Sequence, residues 1–303
     1  TEVWPNWVRC AQQFKVPLVL VNARMSDKSM RQALRWPSLM KPAYAGLQAV
    51  LAQTQGDATR LEVLGANVKC ITGNLKFDAT PDAAQVAKGQ AWRSRIAMPV
   101  IMLASSREGE ERLWLAAWQS FVKANPGVQI QWLLVPRHPQ RVHEVVQLIE
   151  QAGFLVSRRS SWGEEEAASP PSHAAGSTIF MGDSLGEMAL YYSLADVALL
   201  GGSFEPLGGQ NLIEAAACGC PVVMGPHTFN FAEASEAALV EGAALRVANM
   251  AMALEKAVAL VQNRALLEDH SGKASNFAKE HGGATLRTAD AVREWLIKGS
   301  AMH

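Results

Sequence analysis

Short apolar runs and amphipathic stretches alternate along nearly the whole chain. VPLVLVNAR (16–24), AVLAQT (49–54) and VKCITG (68–73) read as buried strands. Residues 28–46 and 56–65 carry helical spacing between them, the second stretch ending on Gly65. Strands separated by helices predict a parallel, doubly wound sheet. A polar, turn-rich passage beginning DATPDAAQVAKG then interrupts the alternation and predicts a linker over 81–95. The pattern resumes with PVIMLAS (99–105), IQWLLVPR (130–137), FLVSRR (154–159), TIFMG (178–182), VALLGG (197–202) and PVVMG (221–225). Helices fill the intervals and close the chain, the last over 284–298. The expected fold class is α/β with two Rossmann-like domains, 1–80 and 96–303. Only three strands fall in the first, so it reads as the C-terminal part of a truncated domain. A chain that opens at Thr1 rather than Met reads as a piece of a longer one. The Ser-, Pro- and Gly-rich stretch 160–177 reads as a mobile surface insertion without chemistry.

The densest chemistry lies in GGSFEPLGGQNLIEAAACGCPVVMGPHTFNF, 201–231. A strand runs into paired glycines, a helix is expected from about Gln210 to Gly219, and a second buried strand follows. Glycines there let backbone N–H groups crowd an anion at a helix N-terminus, and Glu214 is spaced to accept hydrogen bonds from ribose hydroxyls. This predicts a cradle for a nucleoside mono- or diphosphate. The spacing is neither GxGxxG nor a Walker loop. Asn211 followed by Glu214 also fits a capping box that only starts the helix.

Other strand ends carry further candidates. In SSREGEE (105–111), Ser105, Ser106 and the next N–H groups are placed to face a phosphate, with Arg107 as its charge partner, or else Ser105 and Arg107 belong to an N-cap that only starts the helix. Glu108, Glu110 and Glu111 are accounted for as acids matched to the helix dipole. Arg137 and His138 end the strand 130–137 on the rim where doubly wound sheets bind ligands. Asp183 reads as a helix cap, His227 as a donor contact or loop residue, and Phe229 and Phe231 as wedges into the core.

Composition narrows the classes. At 303 residues the chain can form two cores, and 49% apolar with 18% charged residues is ordinary for a globular protein. Basic and acidic residues balance at 28 each, so no global field favours nucleic acid. Cys10, Cys70, Cys218 and Cys220 lack zinc spacing or a disulfide framework, which fits reduced packing thiols. No apolar run reaches the ~18 residues that span a bilayer. No carboxylate cluster has metal-ligand spacing, and neither a metal nor another cofactor is expected.

TEVWPN (1–6), VNARMSDKS (21–29), TGNLKFD (72–78), SSREGEE, PRHPQR (136–141), GDSLGEM (182–188) and GPHTFNF (225–231) stand in the order seen in the Kdo transferase family, which the chain resembles over nearly its whole length. These enzymes move 3-deoxy-D-manno-octulosonic acid (Kdo) from CMP-Kdo to lipid A precursors. The resemblance implies the GT-B architecture, two Rossmann-like domains with the nucleotide on the second. It implies that Pro136 and Arg137 line the CMP pocket, that Leu185, Gly186 and Glu187 touch the cytidine part, and that Asn211, Leu212, Ile213 and Glu214 belong to the same nucleotide site. Lys76 becomes the group that stabilises charge on the departing CMP. The partners implied are CMP-Kdo and a lipid A precursor, at the cytoplasmic face of the bacterial inner membrane, with the anchor and the general base upstream of Thr1. Those positions would leave this chain soluble and without its base. The alternatives are a GT-B enzyme using UDP-sugars, such as a 2-epimerase or GlcNAc transferase, and a nucleotide-binding module without activity.

Overall fold

A computed structural model describes residues 3–78, 80–163 and 178–300, so most of the 160–177 stretch lies outside the described residues. The chain divides into two units, Thr1–Asp78 with His281–His303, and Ala79–Glu280.

The first unit runs α1 (Pro5–Gln13), β1 (Val19–Ala23), α2 (Asp27–Ala33), α3 (Pro37–Ala45), β2 (Ala49–Ala52), α4 (Gln55–Val63) and β3 (Val68–Ile71). Its strands pair in parallel in the order β1-β2-β3. The helix expected over 28–46 is two helices. Trp36, before Pro37, leaves the helical region at φ −128°, ψ 61°, because a following proline ring disfavours the α conformation. Pro37 then opens α3, where its missing N–H costs no hydrogen bond. Met25, Tyr44, Val50, Leu61 and Leu64 form the core. Buried Asp57 fastens it by accepting the N–H of Met25 at 2.7 Å.

The second unit begins with α5 (Ala83–Arg93) and continues β4 (Val100–Ser106), α6 (Glu110–Ala124), β5 (Gln131–Pro136), α7 (Val142–Gln151), β6 (Leu155–Arg158), β7 (Thr178–Met181), α8 (Met188–Leu194), β8 (Val197–Leu200), α9 (Ile213–Ala217), β9 (Val222–Met224), α10 (Ala232–Val240), β10 (Ala244–Arg246) and α11 (Met250–Gln262). Helices α12 (Arg264–His281) and α13 (Ala284–Ser300) complete the chain. Seven parallel strands lie in the order β10-β9-β8-β4-β5-β7-β6. β4 is first in sequence and central in space, so strand order reverses between β4 and β8. Doubly wound sheets hold ligands at such a switch point, outside the carboxyl ends of the strands. Helices cover both faces, which is why β4 and β5 are buried almost throughout instead of alternating. Trp114 and Trp132 meet edge-to-face at 5.2 Å within this core.

Two expectations are corrected here, and one strand appears that none covered. The linker expected over 81–95 is mostly helix α5. Asp82 caps it, accepting the N–H groups of Ala84 at 2.9 Å and Gln85 at 3.0 Å. Its Gly89 packs so tightly on α8 that an added Cβ would meet Leu190 O at 2.4 Å. The last helix, α13, belongs with the first unit and not with residues 96–303. The Asp78 carboxylate takes the N–H groups of Ala284 (3.1 Å) and Thr285, and Arg287 donates to Thr72 O at 3.0 Å. Finally, β10 was not foreseen, because at the sheet edge only its Ala244 is buried and no apolar run marks it.

Candidate functional site

The rim of the second unit is built from the segments that follow β4, β5, β7 and β8. At the end of β4, Ser105 holds φ 53°, a left-handed conformation that costs a non-glycine residue on the order of 1–3 kcal/mol. The register against β5 slips between Ala104 and Ser106 at this point. The two serines expected to act together are thereby parted. Ser105 stays half-exposed on the rim, while Ser106 is buried and donates its hydroxyl to Glu111 at 2.7 Å. Glu111 is also gripped bidentately by Arg141, at 2.8 and 3.1 Å.

Glu110 corrects the dipole explanation most clearly. Its side chain is fully buried, and its carboxylate accepts the N–H groups of Arg107 (2.9 Å), Gly202 (2.7 Å) and Phe204 (3.0 Å). Burial pushes this carboxyl up, the backbone hydrogen bonds pull it down, and neighbouring Glu111 raises it again, with a net rise. The anion seated in the first glycine pair is therefore the protein's own. Gly209 and Gln210 spend their N–H groups on Gly202 O and Gly201 O, at 2.7 and 3.1 Å. The 201–204 part of the loop is thereby a preshaped wall, while the N–H groups of Gly208, Asn211 and Leu212 nearer the helix start are engaged by no described residue. Gly201 is required there, since a Cβ would lie 2.3 Å from Ser105 O.

After this wall the helix starts at Ile213 rather than Gln210, and α9 is five residues long. Asn211 Oδ1 accepts the N–H of Ile213 at 3.0 Å, a local turn without the reciprocal Glu214 contact of a capping box. Glu214 is half-buried, its carboxylate makes no hydrogen bond or ion pair among the described residues, and burial pushes its pKa up. An unpaired, partly desolvated carboxylate is an acceptor awaiting donors.

One pocket joins Ser105, Pro136, Arg137, Leu185 and Gly186, the ends of β4, β5 and β7. Arg137 is exposed, and its guanidinium meets no acceptor among the described residues. Leu185 is 78% exposed beside Gly186, whose φ of 76° needs glycine. Glu187 lies just behind. Its carboxylate is held by Arg159 at 2.8 Å and by the Ser184 hydroxyl, so the turn offers backbone N–H groups more readily than that acid. Asp183 does not cap α8: it accepts the N–H and hydroxyl of Ser160, at 2.9 and 2.6 Å.

Arg107, on the loop after β4, and the segment Asn211, Leu212, Ile213, Glu214, which leads from the loop after β8 into α9, lie outside this pocket wall. Arg107 donates to Glu108 at 3.2 Å. His227 ties its N–H to Ser203 O at 3.0 Å. Phe229 is 60% exposed and is no core wedge; it lies over Gly208, where a Cβ would come 2.6 Å from its ring. In the other unit, exposed Lys76 stands in the turn Leu75–Asp78. Phe77, buried and stacked on His281 at 5.0 Å, and the Asp78 cap on α13 hold that turn.

Solved structures share this architecture. The C-terminal CMP-Kdo binding domain of WaaA from Acinetobacter baumannii matches 65% of this chain and 98% of its own length, at 26% identity and a TM-score of 0.56. A trehalose 6-phosphate synthase from Burkholderia multivorans, 13% identical, covers 99% of this chain and 71% of its own at 0.57, a likeness of fold alone. Parallel α/β sheets with these neighbours define a GT-B glycosyltransferase. The family described as 3-Deoxy-D-manno-octulosonic-acid transferase (kdotransferase) matches residues 1–79. A 3-deoxy-D-manno-octulosonic acid transferase of Bordetella pertussis is 45% identical over 97% of this chain and 68% of its own, and one of Haemophilus influenzae is 30% identical over 98% and 68%. The chain belongs to the 3-deoxy-D-manno-octulosonic acid transferase family.

Sequence reasoning missed Glu110, Arg159 and Gln85 as shapers of the site. Glu110 had a faint signal, an acid among glutamates directly after a strand end. The other two had none, because their partners are distant in the chain.

Proposed function

We propose that the chain binds the CMP part of CMP-Kdo on the rim of its second unit and serves transfer of Kdo to a lipid A precursor, in lipopolysaccharide core biosynthesis at the cytoplasmic face of the inner membrane. The observation that carries the donor reading is the pocket that gathers Ser105, Pro136, Arg137, Leu185 and Gly186 around a guanidinium without a partner among the described residues. In this reading Arg137, with Ser105 and Arg107 nearby, receives the phosphate. Asn211, Leu212 and Ile213 shape the turn that presents Glu214 to the ribose, and the Leu185–Glu187 turn meets the base through backbone groups.

Transfer forms a bond from an acceptor hydroxyl oxygen to the anomeric carbon of Kdo and breaks the bond from that carbon to the CMP phosphate. The hydroxyl proton passes to a base, and CMP departs with the bonding electrons. Lys76 is assigned to the charge that develops on the leaving phosphate. No helix among the described residues is long and apolar enough to cross a membrane.

Calorimetric titration of this chain with CMP, UMP and GMP tests the donor assignment. CMP is expected to bind at least about tenfold more tightly than UMP, the equivalent of about 1.4 kcal/mol from one base-edge hydrogen bond. Equal or tighter UMP binding would transfer the chain to the UDP-sugar reading.

A further inference from the structure

The turn Asp183–Glu187 is gripped from behind by residues that do not line the pocket. Gln85, on α5, donates its side-chain N–H to Gly186 O at 2.9 Å across a separation of 101 residues. Arg159 is only 5% exposed; it donates to Glu187 at 2.8 Å and to Trp162 O at 3.3 Å, with its guanidinium 5.1 Å from the Trp92 ring of α5. The second Glu187 oxygen takes the Ser184 hydroxyl, which also meets the Tyr191 phenol. The N–H groups of Leu185, Gly186 and Glu187 are engaged by no other described residue. A trans peptide points its N–H opposite its C=O. Pulling Gly186 O toward α5 therefore turns the N–H of Glu187 away from α5.

We propose that Gln85 and Arg159 are positioning residues of the donor pocket, holding the 183–187 turn so that its backbone N–H groups are set for the nucleotide before it arrives. The proposal rests on the donor-pocket reading above. Preorganisation of this kind raises affinity by removing the ordering cost that a loose turn would meet on binding. Gln85 is the cleaner probe, because it is half-buried on a helix surface, whereas Arg159 is packed against Trp92 and its loss endangers the fold.

The test compares Gln85→Glu, Gln85→Lys and Arg159→Lys with the parent chain by CMP calorimetry, thermal unfolding and amide hydrogen exchange. Glutamate at position 85 matches glutamine in shape but lacks the donor; lysine retains one. Gln85→Glu is expected to weaken CMP binding about three- to tenfold and to speed exchange in 183–187, with little change in Tm, while Gln85→Lys recovers most of both. Arg159→Lys cannot serve Glu187 and Trp162 O together and is expected to weaken CMP binding about tenfold. Unchanged exchange in 183–187 in Gln85→Glu overturns the positioning role. Failure of the parent chain to bind CMP removes the donor reading instead, and the exchange comparison still decides whether Gln85 holds the turn.

Discussion

Replacing Glu110 by alanine is expected to lower folding stability by about 3–5 kcal/mol, because the N–H groups of Arg107, Gly202 and Phe204 would lose their common acceptor inside the protein. The cost comes from those stranded donors and not from the missing charge. Burial pushes the Glu110 carboxyl up, which means that its ionised form is itself expensive at this position. Glu110→Gln, neutral and still an acceptor, should therefore cost less than Glu110→Ala. Both should weaken CMP binding, since the Gly201–Phe204 wall and the SSREGEE turn are held in mutual register through this one side chain. Urea unfolding of the purified variants, with CMP calorimetry on the folded fraction, measures both effects. An alanine variant with the parent's midpoint and the parent's CMP affinity would remove Glu110 from the architecture of the site.

Glu214→Gln is expected to weaken CMP binding by about 1–3 kcal/mol, the usual worth of hydrogen bonds to a charged acceptor, with little change in folding. The motivation is a half-buried carboxylate without a hydrogen-bond partner among the described residues, in a helix start where Asn211 does the local bonding alone. The pH dependence follows from the direction of its pKa. Burial raises the Glu214 pKa in the free protein, and ribose hydroxyls donate to the ionised form. Affinity should therefore fall as pH drops through that raised value. Binding near it should release a proton, seen as a buffer-dependent heat in calorimetry. The Gln variant should lose this acid-side slope. A variant that melts far below the parent yet binds CMP equally well would return Glu214 to a purely structural role.

Much of the framework could be read from the chain. Each of the nine apolar runs taken as strands contains one; β2, β4, β5, β7, β8 and β9 are apolar because they are covered on both faces, while β1, β3 and β6 are partly exposed. Elements set by tertiary contacts were harder. β10 is three residues on a sheet edge of which only Ala244 is buried, so it lacks the apolar run that marked the equally short β9. The Asp82 cap and the Gly89 contact with Leu190 make a helix of a passage whose composition signals turns. At the rim, Ser105 and Arg137 could be read as strand ends, whereas Pro136, Leu185 and Gly186 came from the family resemblance. Pro136, Arg137, Leu185 and Gly186 meet there with Ser105. What could not be read was how polar groups pair. Glu110 finds its acceptor role with donors 92 and 94 residues away, Asp183 is taken by Ser160, and Glu187 by Arg159. Local spacing offered Asp183 a helix-cap role and Glu110 a helix-dipole role, and long-range donors outcompeted both.

Family membership and the rim pocket converge on one physical claim, that a CMP unit binds across the switch point of the second sheet. A crystal structure of this chain grown with CMP tests it most directly. The expected density places the phosphate within hydrogen-bond distance of Arg137 and Ser105, the ribose hydroxyls on the Glu214 carboxylate, and the base against the Leu185–Gly186 turn. CMP bound away from that rim, or bound there with the ribose turned from Glu214 and the phosphate from Arg137, would contradict it.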